Sequence, residues 1–544
     1  MLALASTLAL GVAGVGAAGS AHAAAKRPNV VLVMTDDQRF DEMTHMPATR
    51  RLLASRGTSF PNYFTSFPLC CPSRQTVYTG QLAHNHGVAG NFPPEGYGSL
   101  SEADKQNTLQ VWLQDAGYRT GHVGKYLNGY PGLDQTAVPP GWDDWQGTID
   151  QTSYDFFNFW INDNGAVDKF GDSQWTDAVW ELSNRVDRRE FPNYLSLRLA
   201  VYNLLIQNPS GATIGTTDRS RYIVDELANR AVDFVDDSAS QGKPFFLEFA
   251  PPAPHREDLG ENALYRGINP RVPPRYEDDV QSLTFRKRKN YDEVDSSDKP
   301  PRIAALPRVG DASLPTLGQA PVPMKTMLER YHRGRAGSLM AADDAVERIV
   351  EAVRRSGQLD NTLFIFTSDN GWMMGEHRIN GDKYVPYEES IRVPLIISGP
   401  KVPKGKRRKA LTTNVDITST ILDATGTRAR RKQEGVSLLP VARTGRKPRS
   451  AVPLEATRPL FVLPGFPYQW DQPYFGVRTS RWKFVRWSYP DAGKQVTFDE
   501  LYDLKRDPYE MTNLASKARH KVTRKRMLAL AKRLKACKGR SCVR

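Results

Sequence analysis

The sequence predicts an α/β fold: a large mixed, mostly parallel sheet flanked by helices, with a smaller C-terminal α+β domain. Three observations predict it. Apolar, β-branched runs of strand length alternate with helical stretches between residues 29 and 425. Polar residues follow those runs at once, as they do at the ligand-binding edge of open α/β sheets. Beyond residue 450 the pattern changes to short strands with few intervening helical stretches.

The first strand is Asn29 to Met34, read as buried and parallel, and it ends in Thr35-Asp36-Asp37-Gln38. A helix is expected over Met46 to Ser55, stopped near Gly57. The Cys70-Cys71-Pro72-Ser73-Arg74 stretch leads into a short helix ending at Gly80. Pro72 fits near a helix start, where its missing N–H costs nothing, and Cys70 is expected just ahead of the N-terminus. Thr108 to Ala116 reads as a helix closed by Gly117, and Tyr118 to Val123 as a strand leading to Lys125. The aromatic run between Gly141 and Gly165 suits either loop packing or a sugar-stacking surface. A helix over Arg221 to Ser240 precedes the strand Pro244 to Phe249, after which prolines aim His255 from the strand's end. Pro273 to Pro323 reads as a long surface excursion. A helix over Tyr331 to Ser356, a strand over Asn361 to Thr367 and the turn Ser368-Asp369-Asn370-Gly371 repeat the design of the first strand. His377, Lys383 and a fifth strand, Val393 to Ser398, follow. After a helix over Asp416 to Thr425 and a linker at Thr444 to Arg449 come strands near Phe475 to Arg478 and Trp482 to Trp487, then a basic terminal helix, Val522 to Leu534.

The chain's 544 residues suffice for a large core and more than one domain. Residues 1–23 read as a signal peptide: an apolar stretch from Leu2 to Val15 and a small-residue cleavage site at Ala21-His22-Ala23, without the usual positive n-region. No later apolar stretch reaches membrane length, so the expectation is a secreted or extracytoplasmic protein with no transmembrane anchor. Cys537 and Cys542 are placed to form a small disulfide, while on composition alone Cys70 and Cys71 would each be half of one. The net charge is +14, and the segment from Lys517 onward has no acidic residue. A solvated basic helix accounts for that segment, and attraction to an anionic polymer is the sharper alternative. Nucleic acid is not an expected partner.

If the sheet is mostly parallel, Asp36, Asp37, Lys125, His255, Asp369 and Asn370 converge along one edge. Carboxylates and an amide oxygen are hard ligands suited to Ca²⁺ or Mg²⁺, not to a zinc thiolate site. Cations around a metal and a nucleophile suit a tetrahedral oxyanion ester.

Cys70 to Arg74, in the order C-x-P-S-R, resembles the sulfatase signature. Further matches run from Asn29 to Asn513: Thr35-Asp36-Asp37, Gly124-Lys125, Pro254-His255, Ser368 to Gly371, Lys383 with Tyr387-Glu388, Gly435 to Pro440, and Leu501 to Leu504 with Asp507-Pro508. On these the chain resembles type I sulfatases of the alkaline phosphatase superfamily. The resemblance implies an alkaline phosphatase-like catalytic domain over 26–443 and an α+β subdomain with a basic tail over 450–544. It implies that Cys70 is converted to formylglycine by a formylglycine-generating enzyme. Asp36, Asp37, Asp369, Asn370 and the modified Cys70 would hold one Ca²⁺. Arg74 would stabilise the hydrated aldehyde, one hydroxyl of which attacks sulfur while the second later expels sulfate. Lys125, Lys383 and His255 would contact the sulfate, with Lys383 assisting the leaving oxygen.

Lys125 is followed by Tyr126-Leu127-Asn128, where many sulfatases carry a His two residues on. That form, with Cys70-Cys71-Pro72-Ser73-Arg74 and Asp295 to Pro300, resembles the N-acetylglucosamine-6-sulfatase and heparan 6-O-endosulfatase branch. It implies a sulfated sugar or glycan substrate, such as N-acetylglucosamine 6-sulfate. His377 falls where many sulfatases place a His after Gly, and is expected either to share in recycling formylglycine or to be a surface-loop His. The alternatives are an arylsulfatase of broad specificity, a phosphonate or phosphodiester hydrolase of the same superfamily, and a non-catalytic polyanion binder. Intact metal-site residues and Cys70 argue against the last.

Overall fold

The computed structural model describes residues 27–91, 95–132, 134–150, 152–171, 219–257, 269–316, 319–457, 472–491 and 494–543. The signal-peptide reading over 1–23 lies outside them. Ten strands form the main sheet: β1 (Asn29–Thr35), β2 (Gly57–Ser59), β3 (Arg119–Gly124), β4 (Asp144–Thr148), β5 (Trp160–Asp163), β6 (Ala166–Lys169), β7 (Phe245–Ala250), β8 (Thr362–Ser368), β9 (Leu395–Ser398) and β10 (Lys406–Arg407). Their spatial order is β10-β2-β9-β8-β1-β7-β3-β4-β5-β6. The central run from β8 through β1, β7 and β3 to β4 is parallel, and β9 and β5 join it antiparallel on either side. β1 is buried throughout, as its unbroken apolar run requires.

Alternation along the strands feeds two cores. Val30, Leu32, Met34, Leu363 and Ile365 pack on α1 (Cys70–Thr79), α2 (Leu109–Asp115), α5 (Val415–Thr425) and α6 (Leu438–Thr444). Val31, Val33, Leu247, Phe249, Phe364 and Phe366 pack on α3 (Ile223–Ser240) and α4 (Met324–Arg355). The result is a helix–sheet–helix sandwich. A second, antiparallel sheet of β11 (Ala451–Ala456), β12 (Tyr474–Thr479), β13 (Trp482–Asp491) and β14 (Lys494–Asp503) is covered by α7 (Lys521–Lys535), through Met527, Ala531 and Leu534.

Several expectations change. The helix expected over Met46 to Ser55 is a short α-turn, Pro47–Thr49, running into a π-turn, Arg50–Ala54. α4 starts seven residues before Tyr331, because Met324, Met327 and Leu328 close a small core with Val309. The 273–323 excursion contains helical turns at Glu277–Gln281 and Pro301–Ala304 and a hairpin, Ser313–Thr316 with Gln319–Pro323. The aromatic run supplies edge strands and core side chains: Trp145, Phe156, Phe157 and Phe159 have no exposed surface. The stretch read as a linker is anchored by Arg449, which is buried against Asp416. Cys537 and Cys542 form a disulfide, whereas Cys70 and Cys71 are free, buried thiols. Among the described residues no helix is long and apolar enough to cross a membrane.

Candidate active site

β1 and β8 run side by side in register, Thr35 against Ser368, so their acidic turns emerge together. Asp37 sits at φ 67°, a left-handed conformation that Asp tolerates better than most residues. Its amide donates to Asp369 Oδ1 at 3.0 Å, and the Gln38 amide donates to Ser368 Oγ at 2.9 Å. The Asp36 amide donates to the Ala253 carbonyl at 3.0 Å, which joins the turn after β7 to the same edge.

α1 delivers the thiol. Cys70 is its first helical residue, not the one ahead of it, because Leu69 is the N-cap. Pro72 therefore stands in the first turn, where no intrahelical donor is lost. Gly80 closes the helix at φ 68°. Cys70 Sγ faces Asp36 Oδ1 at 3.7 Å and receives Lys383 Nζ at 2.8 Å. Arg74, one turn on, donates from Nε to Asp369 Oδ2 at 2.8 Å and from a terminal nitrogen to the Lys125 carbonyl at 2.7 Å.

Charges alternate across the cluster. Lys125 Nζ pairs with Asp36 and Lys383 Nζ with Asp37. The Asn370 side-chain amide donates to Asp37 Oδ1 at 2.5 Å. His255 Nε2 stands 3.5 Å from Asp37 Oδ2, while Nδ1 lies 2.7 Å from the Arg256 carbonyl. A carbonyl only accepts, so Nδ1 carries the hydrogen and Nε2 is the atom turned to the cluster.

These environments split the titrations. Burial raises the Asp36 carboxyl, but Lys125, Arg74 and Lys383 outweigh it and hold the group below its ordinary value. Burial, with Asp36 and Asp369 as like charges, carries Asp37 up to about 7 in spite of Lys383. Burial pushes the Cys70 thiol up to about 12, even with both lysines beside it. Lys383 is also buried, yet Asp37, Cys70 and Asp36 hold it well above its usual value, so it remains an ammonium.

Nine of the ten residues singled out in the sequence thus meet at one buried edge. His377 does not join them. It is fully buried, not on a surface loop, and its partners lie elsewhere: Glu293 Oε2 at 2.6 Å from Nδ1, Asn290 near Nε2 at 3.4 Å, and the Tyr387 ring.

Other residues shape the site, and of these only Asn128 belongs to a motif noted in the sequence. The Tyr154 ring stacks on His255 at 4.0 Å, and Lys125 Nζ lies over its face. Asn128, which follows Lys125, donates to the Tyr154 hydroxyl at 2.9 Å, tying that ring to the Cys71 side through its own amide. Trp372, two residues after Asn370, packs beneath Lys383. Arg335 of α4 donates to the Asp37 and Pro254 carbonyls and is itself clamped by Glu42. It fixes the two turns that carry Asp37 and His255.

The donor set fits a hard divalent cation. Asp36, Asp37, Asp369 and Asn370 are all buried; Asp37 Oδ2 and Asn370 Oδ1 have no hydrogen-bond partner, whereas the Asp369 oxygens accept from Arg74 and from the Asp37 and Asn370 amides. Asp36, Asp37, Cys70 and His255 offer ligand atoms within 4.8 Å of one another. Buried oxygen lone pairs without donors are costly unless a ligand fills them.

A family model described as Sulfatase matches residues 28–427, well over half of the chain. The chain belongs to the sulfatase family. A second model, N-sulphoglucosamine sulphohydrolase, C-terminal, matches residues 375–538. This sulfatase is 30% identical to an arylsulfatase of Volvox carteri, over 97% of this chain and 77% of that protein. It is also 30% identical to the N-acetylglucosamine-6-sulfatase of Homo sapiens, over 98% of this chain and 88% of that one. Among solved structures, a protein in complex with its substrate D-glucosamine-2-N,6-O-disulfate shares the fold, with a TM-score of 0.69 and 23% identity over 93% of this chain and 97% of that chain. The sulfatase is therefore an enzyme that hydrolyses sulfate esters.

Proposed function

We propose that this sulfatase is exported, that Cys70 is converted to formylglycine by a formylglycine-generating enzyme, and that with one Ca²⁺ it hydrolyses the sulfate ester of a sulfated sugar such as N-acetylglucosamine 6-sulfate. The observation that carries the reading is the position of Cys70 Sγ. It stands between the Asp36 carboxylate and the Lys383 ammonium, in a cluster that also holds the unpartnered Asp37 and Asn370 oxygens. The sulfur is the one soft atom in an otherwise hard oxygen set, and replacing it by oxygen makes the set uniform. Relatives named N-acetylglucosamine-6-sulfatase support the choice of sugar.

Asp36, Asp37, Asp369 and Asn370 would hold the cation, which supplies positive charge where the ester's oxygens gather. Hydrated formylglycine supplies two hydroxyls, one to attack sulfur and one to release sulfate as the aldehyde returns. The protein's own residues do the remainder. Arg74, held by Asp369 and the Lys125 carbonyl, keeps its charge fixed beside residue 70. Lys125 and Lys383 now neutralise Asp36 and Asp37. With a cation held by those carboxylates, both ammonium groups would be free to pair with sulfate oxygens. Lys383, charged and against residue 70, is placed to hand a proton to the departing sugar oxygen. His255 presents Nε2 to the same space, its ring fixed by the Arg256 carbonyl and the Tyr154 face.

The test is release of inorganic sulfate from N-acetylglucosamine 6-sulfate, beside matched aryl sulfate and aryl phosphate esters. Faster turnover of the sugar sulfate than of the phosphate ester is expected, abolished by chelation and restored by Ca²⁺. Preference for the phosphate ester would overturn the substrate assignment, and full activity in chelator would overturn the metal.

A further inference from the structure

The basic C-terminal helix has no part in the site just described, yet it is the most one-sided charge feature of the chain. α7 buries Met527, Ala531 and Leu534 against the second sheet and turns the opposite side to solvent. On that side Lys521, Lys525 and Lys532 form one ridge at helical spacing, and Arg526 and Arg533, seven apart, form a second. Val522, Ala529 and, at the helix C-cap, Ala536 run between the ridges. All five cations are exposed, and none forms an ion pair among the described residues. Asp499 is the carboxylate that meets the helix, and Arg486 and Arg524 occupy it. Two parallel rows of uncompensated charge over about 20 Å of rigid helix suit a linear polyanion better than a point anion.

The helix is anchored to the enzyme's body. The disulfide-closed loop after α7 is held where the Cys537 carbonyl accepts from the Asn85 side chain at 2.9 Å and meets His84 Nε2 at 3.0 Å, and where the Gly539 amide donates to Glu434 at 3.2 Å. His84 and Asn85 belong to the turn just after α1, so the loop docks at the far end of the helix that begins at Cys70, about 15 Å along it.

We infer that the solvent face of α7 is a binding surface for a sulfated polysaccharide chain, separate from the site that cleaves the ester. A membrane fits less well, because Val522 is the only large apolar side chain exposed on this face among the described residues. Single-stranded nucleic acid fits less well because no aromatic side chain lies between the ridges for base stacking. A chain held here by charge raises the local concentration of its own ester groups near the enzyme. The choice of polymer rests on the glycan reading above. Turnover of N-acetylglucosamine 6-sulfate tests that reading, and polymer binding tests this one.

The probe is a size-defined heparin fragment, with binding measured across salt concentrations. The variant combines Lys521→Gln, Lys525→Gln, Arg526→Gln, Lys532→Gln and Arg533→Gln, all on the solvent side of the helix. Counterion release predicts that losing five contacts makes the plot of log affinity against log salt shallower by about 3.5 and weakens binding at low salt more than tenfold. Turnover of a small aryl sulfate should stay at the wild-type level, which also reports that the variant folds. Unchanged heparin affinity and slope in a folded variant would overturn the inference. So would tighter binding to phosphatidylserine vesicles or duplex DNA than to heparin through the same residues.

Discussion

Asp37 and Asp416 are both fully buried aspartates that face cations, and their surroundings differ in one respect. Asp416 is saturated: Oδ1 accepts from the Val436 amide and Arg449, and Oδ2 from the Thr413 amide and the same guanidinium, all between 2.6 and 2.9 Å. Asp37 is not. Its Oδ1 takes Lys383 and the Asn370 amide, but Oδ2 has no hydrogen bond and only His255 at 3.5 Å. A saturated buried pair fixes a segment, here the stretch between α6 and β11. An unsaturated one, among two further carboxylates and an amide oxygen, is built for a ligand. Charge and burial alone do not separate these two aspartates; the unfilled lone pair of Asp37 Oδ2 does.

The contrast breaks most visibly on the unsaturated side. Asp37→Asn keeps the shape and removes the charge. Sulfate release should fall on the order of 10³-fold, the scale of a lost electrostatic group at a reacting centre. The melting temperature should shift by only a few degrees, because burial already opposes this carboxylate's ionisation. Substantial activity in that variant would remove Asp37 from the metal set.

Arg449→Ala should do the reverse. It strands Asp416 and should cost about 3–5 kcal/mol in urea unfolding, with kcat of the folded enzyme unchanged. A fall in kcat without a stability loss would contradict the assignment.

His84 gives the smallest effect. Burial lowers its pKa, but the Glu455 hydrogen bond and charge raise it to about 9. The folded value lies above the unfolded one, so this stabilisation is complete below about pH 6.5 and is lost as pH rises through 9. It amounts to about 2 kcal/mol after allowance for partial exposure. Thermal melts across that window should show it, and His84→Gln should flatten the profile. An identical pH profile in the variant would show that the His84–Glu455 pair does not carry it.

The legible and illegible parts of the fold differ for a physical reason. β1, β7, β8 and β9 are apolar runs that local pattern identifies, and β3, Arg119 to Gly124, is a more polar stretch between a helix-closing Gly and Lys125; the polar turns after these strands carry most of the site. β2, from Gly57 to Ser59, carries no such run and forms because β9 and β10 flank it. β5 and β6 are likewise made by pairing. In the site, Asp36 and Asp369 sit in acidic turns after apolar strands, which the pattern finds, while Cys70 and Arg74 are legible only through the resemblance to the sulfatase signature. Tyr154 against His255, and Arg335 clamped by Glu42, are contacts between distant segments with no period to betray them. His377 shows the opposite failure: its motif position suggested chemistry, while Glu293 holds it away from the cluster.

The central claim is that residue 70 acts as formylglycine, and peptide mass analysis of the Cys70 segment tests it most directly, on protein whose sulfate release has been measured in the same preparation. The account predicts that the active fraction has lost the thiol sulfur and gained an aldehyde oxygen, and that activity rises in proportion to that fraction. Full activity in a preparation whose residue 70 is entirely an unmodified thiol would contradict it.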